Sequence, residues 1–246
     1  MSFVATTSNG FFLNVGKIIC LIFLCAGVLL AKGSKRKNTA YKSQFGQDQY
    51  VNEHFFHNKQ AGIFLDIGAH DGITLSNTYF FEHELGWKGI CVEPLPSVFN
   101  QLQKNRTCIC LQGCVSNFSG KAKFAEVISP NVETQMLSGL AIKYDPRHMN
   151  LIQSKGGQIK YFEVDCVTPQ TIFEKFNVSH IDFLSIDTEG GEFDILSLID
   201  LKKIDIDVIT IEVNYHEDKR IYNYLTAHNY QFVQRLGCDE LYKKIR

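Results

Sequence analysis

IFLDIGAHDGITLSNTYFFEHELGWKGICVEP, residues 63–94, is the stretch on which the fold turns. Its apolar run Ile63, Phe64, Leu65 ends at Asp66 and gives way to Gly68-Ala69-His70-Asp71-Gly72, the pattern of a buried parallel strand breaking into a glycine-containing turn. A helix is expected over residues 76–85, with Thr74 or Ser76 as N-cap and Tyr79, Phe80, Phe81 and Leu85 for packing. A second apolar strand, residues 89–92, runs into Glu93-Pro94, where proline ends the ladder and leaves a carboxylate at the strand tip. This strand, turn, helix, strand unit sets Asp66 and Glu93 side by side at one edge of a parallel sheet. Ligands of open α/β sheets bind at that edge.

The residue types at the edge narrow the ligand. Glycines at 68 and 72 permit positive φ and close approach of a ligand to the backbone around Ala69. A carboxylate after the second strand, Glu93, accepts the two hydroxyls of a ribose. A pyrophosphate site would carry G-x-G-x-x-G, whereas this turn reads G-A-H-D-G, and an acid there repels phosphate. A nucleoside with a cationic or amino-bearing tail suits these residues better, and S-adenosylmethionine answers that description. A plain structural turn is the bland alternative, and a nucleotide-dependent dehydrogenase is a weaker third reading.

Upstream, Ser43-Gln44-Phe45-Gly46-Gln47-Asp48 and then Tyr50, Val51, Phe55 and Phe56 have helical spacing, with Gln44 or Gln47 able to reach a ligand. Residues 1–42 separate from this domain (residues 43–246) as an apolar segment and a basic, polar linker. The run IICLIFLCAGVLLA, residues 18–31, is short of the roughly 20 residues a span needs. Including residues 10–16 makes it long enough, with Lys17 snorkelling. Lys32, Lys35, Arg36 and Lys37 follow it, so a single-pass anchor would leave the domain cytoplasmic. A cleaved signal peptide and the secretory pathway are the alternative. Only in that case would the sequons at Asn105, Asn117 and Asn177 matter.

Downstream, residues 97–105 predict a short helix and TCICLQGCVS, residues 107–116, a third strand whose tip holds Cys114 and Val115. Those two side chains belong either to an adenine pocket or to plain core. Residues 121–127 read as an edge strand and residues 129–157 as a long irregular stretch, assigned to substrate access. Order returns at residues 159–164 and in the helix 169–176, with Thr168 as N-cap and Pro169 in its first turn. IDFLSIDTEGGE, residues 181–192, is a further buried strand whose tip carries Asp187, Glu189 and Glu192 around Gly190-Gly191. Such clustered carboxylates need cationic or hydroxyl partners. Glu192 reads mainly as a cap of the following helix, residues 193–199. A fifth strand, residues 208–213, leads to Glu212, Asn214 and His216, and a C-terminal antiparallel hairpin closes the sheet.

At 246 residues the chain holds one sizeable α/β domain plus a small appendage. Its net charge of −1 leaves no electrostatic footprint for nucleic acid. The eight cysteines lack C-x-x-C pairing and zinc spacing, so they read as free, mostly buried thiols of a reducing compartment.

FLDIGAHDG, ICVEP, FLSIDTEGGEFDIL and VITIEVN, in this order and spacing, resemble the FkbM family of S-adenosylmethionine-dependent methyltransferases, over essentially residues 43–246. The likeness implies a Rossmann-like class I methyltransferase: α/β, with a mostly parallel seven-stranded sheet, an antiparallel C-terminal hairpin and helices on both faces. It implies methyl transfer to a hydroxyl of a small molecule or glycan, and puts Asp66, Gly68, Glu93 and Asp187 on cofactor-binding positions. His70-Asp71 departs from the family's commoner Asn and small residue at that turn. Glu189 and His216 are the candidate proton acceptors. A non-catalytic, membrane-anchored interaction or trafficking protein keeping the fold is the alternative. Neither the acceptor nor the oligomeric state is legible.

Overall fold

The structure, a computed structural model, describes residues 40–215 and 217–246. Its strands in chain order are β1 (Ile63–Ile67), β2 (Lys88–Glu93), β3 (Ile109–Gln112), β4 (Cys114–Val115), β5 (Gly120–Ile128), β6 (Gly139–Leu140), β7 (Gln158–Val167), β8 (His180–Ile186), β9 (Asp205–Glu212), β10 (Tyr230–Leu236) and β11 (Asp239–Lys244). The helices are α1 (Gln47–Val51), α2 (Tyr79–Leu85), α3 (Pro96–Asn105), α4 (Val132–Gln135), α5 (Pro146–Ser154), α6 (Pro169–Phe176), α7 (Glu192–Ser197) and α8 (Arg220–Ala227).

Seven strands form the main sheet in the order β10-β11-β9-β8-β1-β2-β3. β1 pairs in parallel with β2 and β8, β2 with β3, and β8 with β9. β11 is antiparallel to both of its neighbours, β9 and β10. This is the class I methyltransferase sheet, with its one reversed strand next to the edge.

The two-residue period of the strands sorts side chains into two cores. Leu65, Ile67, Ile90, Val92, Leu184, Ile186, Ile209 and Ile211 meet residues of α6, α7 and α8 on one face. Phe64, Cys91, Phe183 and Val208 meet α1, α2 and α3 on the other. Helices on both faces force the parallel strands to be apolar throughout, which is why they read as continuous hydrophobic runs. Local chemistry sets the helix starts. Thr168 accepts from Thr171 N–H ahead of Pro169, and the Ser76 hydroxyl accepts from the N–H groups of Thr78 and Tyr79, so α2 begins at Tyr79 rather than at Ser76.

Two expectations are corrected. The single third strand over residues 107–116 is two strands in two sheets, because Gly113 at φ +142° kinks the chain against the Asp165 carbonyl oxygen, 2.9 Å from where a Cβ would stand. β4 then joins a second sheet, ordered β4-β7-β5-β6. Residues 129–157 are not irregular: Asn131 caps α4, Asp145 caps α5 ahead of Pro146, and Val127, Leu137 and Ile152 give the segment its own small core.

All six described cysteines are free, with Cys91, Cys114 and Cys166 buried. Among the described residues no helix is long and apolar enough to cross a membrane. The apolar segment 18–31 lies outside the described residues.

Candidate active site

A cavity of about 270 Å³ opens at the C-terminal ends of β1, β2, β8 and β9. β5 adds Phe124 to its lining, and residues 129–157 add Met136, Leu137 and Leu140. Asp66, Gly68, Ala69, Glu93, Cys114, Val115, Asp187 and Glu189, all expected from the sequence, line it together.

The turn after β1 is held by backbone bonds. Gly68 and Ala69 N–H both donate to the Val92 carbonyl at 3.0 Å, and Asp187 N–H donates to Ile67 at 2.9 Å. Gly68, at φ +93°, is glycine because the Asp187 carbonyl oxygen lies 1.7 Å from where a Cβ would sit. Asp66 is buried behind the turn, and Thr78 Oγ1 donates to it at 2.6 Å. Arg106 donates to the same Thr78 oxygen at 3.0 Å and pairs with Glu82. Burial nonetheless holds the Asp66 carboxyl above its ordinary pKa, against the pull of Arg106. Gly72 corrects the sequence reading. It does not line the cavity; its α-carbon faces Leu102 and Arg106, and its carbonyl accepts from Arg106 at 3.1 Å. Packing, not a ligand, requires glycine there.

At the tip of β2, Glu93 Oε1 accepts from Leu95 N–H at 2.8 Å and Oε2 from His70 N–H at 3.1 Å. Each oxygen keeps a lone pair for a further donor. Burial pushes this carboxyl up to about 7 despite those bonds and the neighbouring His70. Cys114 and Val115 are both buried in core clusters and also line the cavity. Both offer an apolar surface fit for a flat ring.

The opposite wall is acidic. One oxygen from each of Asp187, Glu189 and Glu212 lies within 4.8 Å of the others. Asp187 is exposed where it lines the cavity, Glu189 is half-buried and Glu212 is buried. Burial first, then neighbouring carboxylates, raise all three well above ordinary carboxylate values. Glu189 holds a left-handed φ of +60°. Glu192 was expected to cap the following helix, but it is that helix's first residue and its carboxylate instead braces the preceding turn, accepting from Thr188 N–H, Thr188 Oγ1 and Gly190 N–H at 2.9–3.1 Å. His216 lies outside the described residues.

Four contributors escaped sequence reasoning in whole or part. His148 Nδ1 stands 3.6 Å from Glu189 Oε2, while its Nε2 meets the Leu137 carbonyl at 3.0 Å. Asp239, read only as part of a turn, lines the cavity and accepts from Gln47 Nε2 at 2.6 Å; burial lifts it to about 6. Gln47 thus reaches the site through a carboxylate. Asn77 donates to Ser185 at 3.1 Å and turns a buried, unpartnered Oδ1 to the same region. The sole sequence signal for His148 was the Asp145-Pro146 cap that starts its helix.

Residues 66–232 match the family described as the Methyltransferase FkbM domain. A comparison with curated proteins gives no match. Among solved structures, a methyltransferase FkbM from Methylobacillus flagellatus is 12% identical with a TM-score of 0.47, over 80% of this chain and 50% of that one. The chain therefore spans half the length of that structure. The N-terminal domain of human METTL16 is 11% identical with a TM-score of 0.43, over 80% of this chain and 68% of that one. The same domain in complex with SAH is 14% identical with a TM-score of 0.39.

Proposed function

Because the chain belongs to the FkbM methyltransferase family, we propose that its cavity holds S-adenosylmethionine and that the protein methylates a hydroxyl oxygen of a small molecule or glycan. Glu93 carries this reading: a buried carboxylate at the tip of β2 with one lone pair free on each oxygen, facing the cavity beside the apolar Cys114 and Val115. That arrangement accepts two ribose hydroxyls and leaves the adenine on the apolar wall.

The residues fit the group. Bound there, S-adenosylmethionine supplies an electrophilic methyl on a cationic sulfonium. Gly68 and Ala69 hold the backbone clear beside it, and Asp66 and Asp239 offer carboxylates to an ammonium tail. Glu189 takes the acceptor's proton, and the His148 ring, held by its Nε2–H on the Leu137 carbonyl, packs behind the carboxylate and limits where it can turn. Burial makes Glu189 a stronger base than a free carboxylate, as proton removal from a hydroxyl requires. Most of the acceleration comes from holding acceptor and methyl in line.

The lining bears on the acceptor. Asp66, Glu93, Glu133, Asp187, Glu189, Glu212 and Asp239 face two lysines, Lys143 and Lys155, and Lys143 is paired with Asp194. This wall repels phosphate and favours an uncharged, hydroxyl-bearing acceptor over nucleic acid. Residues 18–31 tether the domain to a membrane on its cytoplasmic side in this reading. Native mass spectrometry of the purified protein for bound adenosyl nucleosides, followed by a cofactor-turnover screen against hydroxylated small molecules and glycans, tests it. Absence of any adenosyl ligand, with no binding on titration, defeats it.

A further inference from the structure

We propose that Asp187, Glu189 and Glu212 form a site for one hard divalent cation, of the magnesium, manganese or calcium class, on the cavity wall. Two independent observations support it. The first is convergence, since one oxygen from each residue lies within 4.8 Å of the others. The second is an orphan: Glu212 is 6% exposed, and its buried Oε2 has no hydrogen-bond partner. A buried carboxylate oxygen without a donor is costly unless a cation meets it or it shares a proton with the Asp187 carboxyl, which lies within hydrogen-bond reach of Glu212.

The geometry suits an ion. Magnesium holds oxygens at roughly 2.0–2.1 Å and calcium at about 2.3–2.6 Å, so opposite ligands on one ion stand about 4–5 Å apart. The three carboxylate oxygens lie no farther apart than that, each within 4.8 Å of the others. Their supports are rigid: Asp187 follows β8 and Glu212 ends β9, and the adjacent strands pair through Ser185 with Thr210 and Ile186 with Ile211. Glu189 sits in the turn braced by Glu192. Among the described residues the ion pair these three make is that of Glu189 with His148, through Oε2. Its second oxygen can ligate while the first keeps His148, so with the ion bound Glu189 serves as its ligand and the acceptor's proton leaves to solvent. An all-oxygen set selects against zinc and favours the hard cations. Asn214 also lines the cavity.

Ion binding stands apart from methyl transfer. Only its use rests on the reading above: the ion would hold the acceptor oxygen beside the methyl group. The test uses Mn²⁺ on the purified full-length protein, followed by the loss of the free Mn²⁺ paramagnetic resonance signal, with and without S-adenosylhomocysteine. The proposal expects one saturable Mn²⁺ per chain, displaced by excess Mg²⁺ or Ca²⁺. Affinity should fall by at least roughly 10–100-fold in Asp187→Asn and in Glu212→Gln. Circular dichroism confirms that each variant is folded, and Glu189→Gln replaces either one that is not. Saturable Mn²⁺ binding without any binding of S-adenosylhomocysteine would support the ion site while removing the methyl-transfer reading. No saturable binding would mean that the carboxyls share protons instead, and loss of Mn²⁺ on adding S-adenosylhomocysteine would make them the cofactor's ammonium site. Either result overturns the proposal.

Discussion

Gly68 and Asp187 meet backbone to backbone: a Cβ on Gly68 would stand 1.7 Å from the Asp187 carbonyl oxygen. The contact fixes the tip of β1 against the tip of β8, and with it the distance between the Glu93 wall and the acidic wall. Gly68→Ala should therefore force the two tips apart. We expect a loss of about 2–4 kcal/mol of stability, from the left-handed strain at φ +93° together with the clash. Denaturant unfolding of wild type and variant measures it, and an unchanged midpoint would show that the tips are free to move.

The raised pKa of Glu93 gives a pH dependence with a definite sign. In the free protein the carboxyl protonates near 7, against an ordinary value of 4.5, so its contribution to stability is full below the ordinary value and is lost as pH rises through 7. Ribose hydroxyls donate to the ionised form, so cofactor affinity runs the other way, rising up to tenfold per pH unit below 7 and levelling above it. His70, Asp66 and Cys114 are the titratable neighbours that bear on this group. Calorimetry from pH 5.5 to 8.5 should show the rise through 7 in wild type and its loss in Glu93→Gln, which keeps only the shallower change near pH 6 that Asp239 contributes.

The parallel strands and the edge they share were legible because burial on both faces writes them as apolar runs, each interrupted near its C-terminal end by a carboxylate: Asp66, Glu93, Asp187 and Glu212. The second sheet was not. Its strand β5, GKAKFAEVI, alternates polar and apolar residues as an edge strand does, and its partner β7 lies far along the chain. Gly72 was misread because a glycine that lets a ligand approach and one that lets Arg106 pack look the same in sequence. His148 was missed since its role comes from α5 folding back over Glu189, a contact between residues far apart in the chain.

Glu189 and His148 should separate in kinetics. Glu189→Gln removes the proton acceptor and should lower turnover roughly 10²–10⁴-fold with cofactor affinity nearly kept. His148→Gln leaves the acceptor but not its orientation, so turnover should fall by less, about tenfold, again without loss of affinity. Equal turnover of both variants and wild type on the true acceptor would remove Glu189 from the chemistry.

The N-terminal segment is tested by deletion. Removing residues 1–32 should release the protein from membranes and leave cofactor binding unchanged. In the intact protein, protease added from the cytoplasmic side should digest the domain. Glycan on Asn105, Asn117 or Asn177 would place it in the secretory lumen instead.

The central claim is that Glu93 holds the ribose of an adenosyl cofactor. Titration calorimetry of S-adenosylhomocysteine into wild type and Glu93→Ala tests it most directly. The account predicts saturable binding to wild type and a loss of about 2–4 kcal/mol in the variant, the worth of two charge-assisted hydrogen bonds with incomplete additivity. Equal affinities in two equally folded proteins would contradict it.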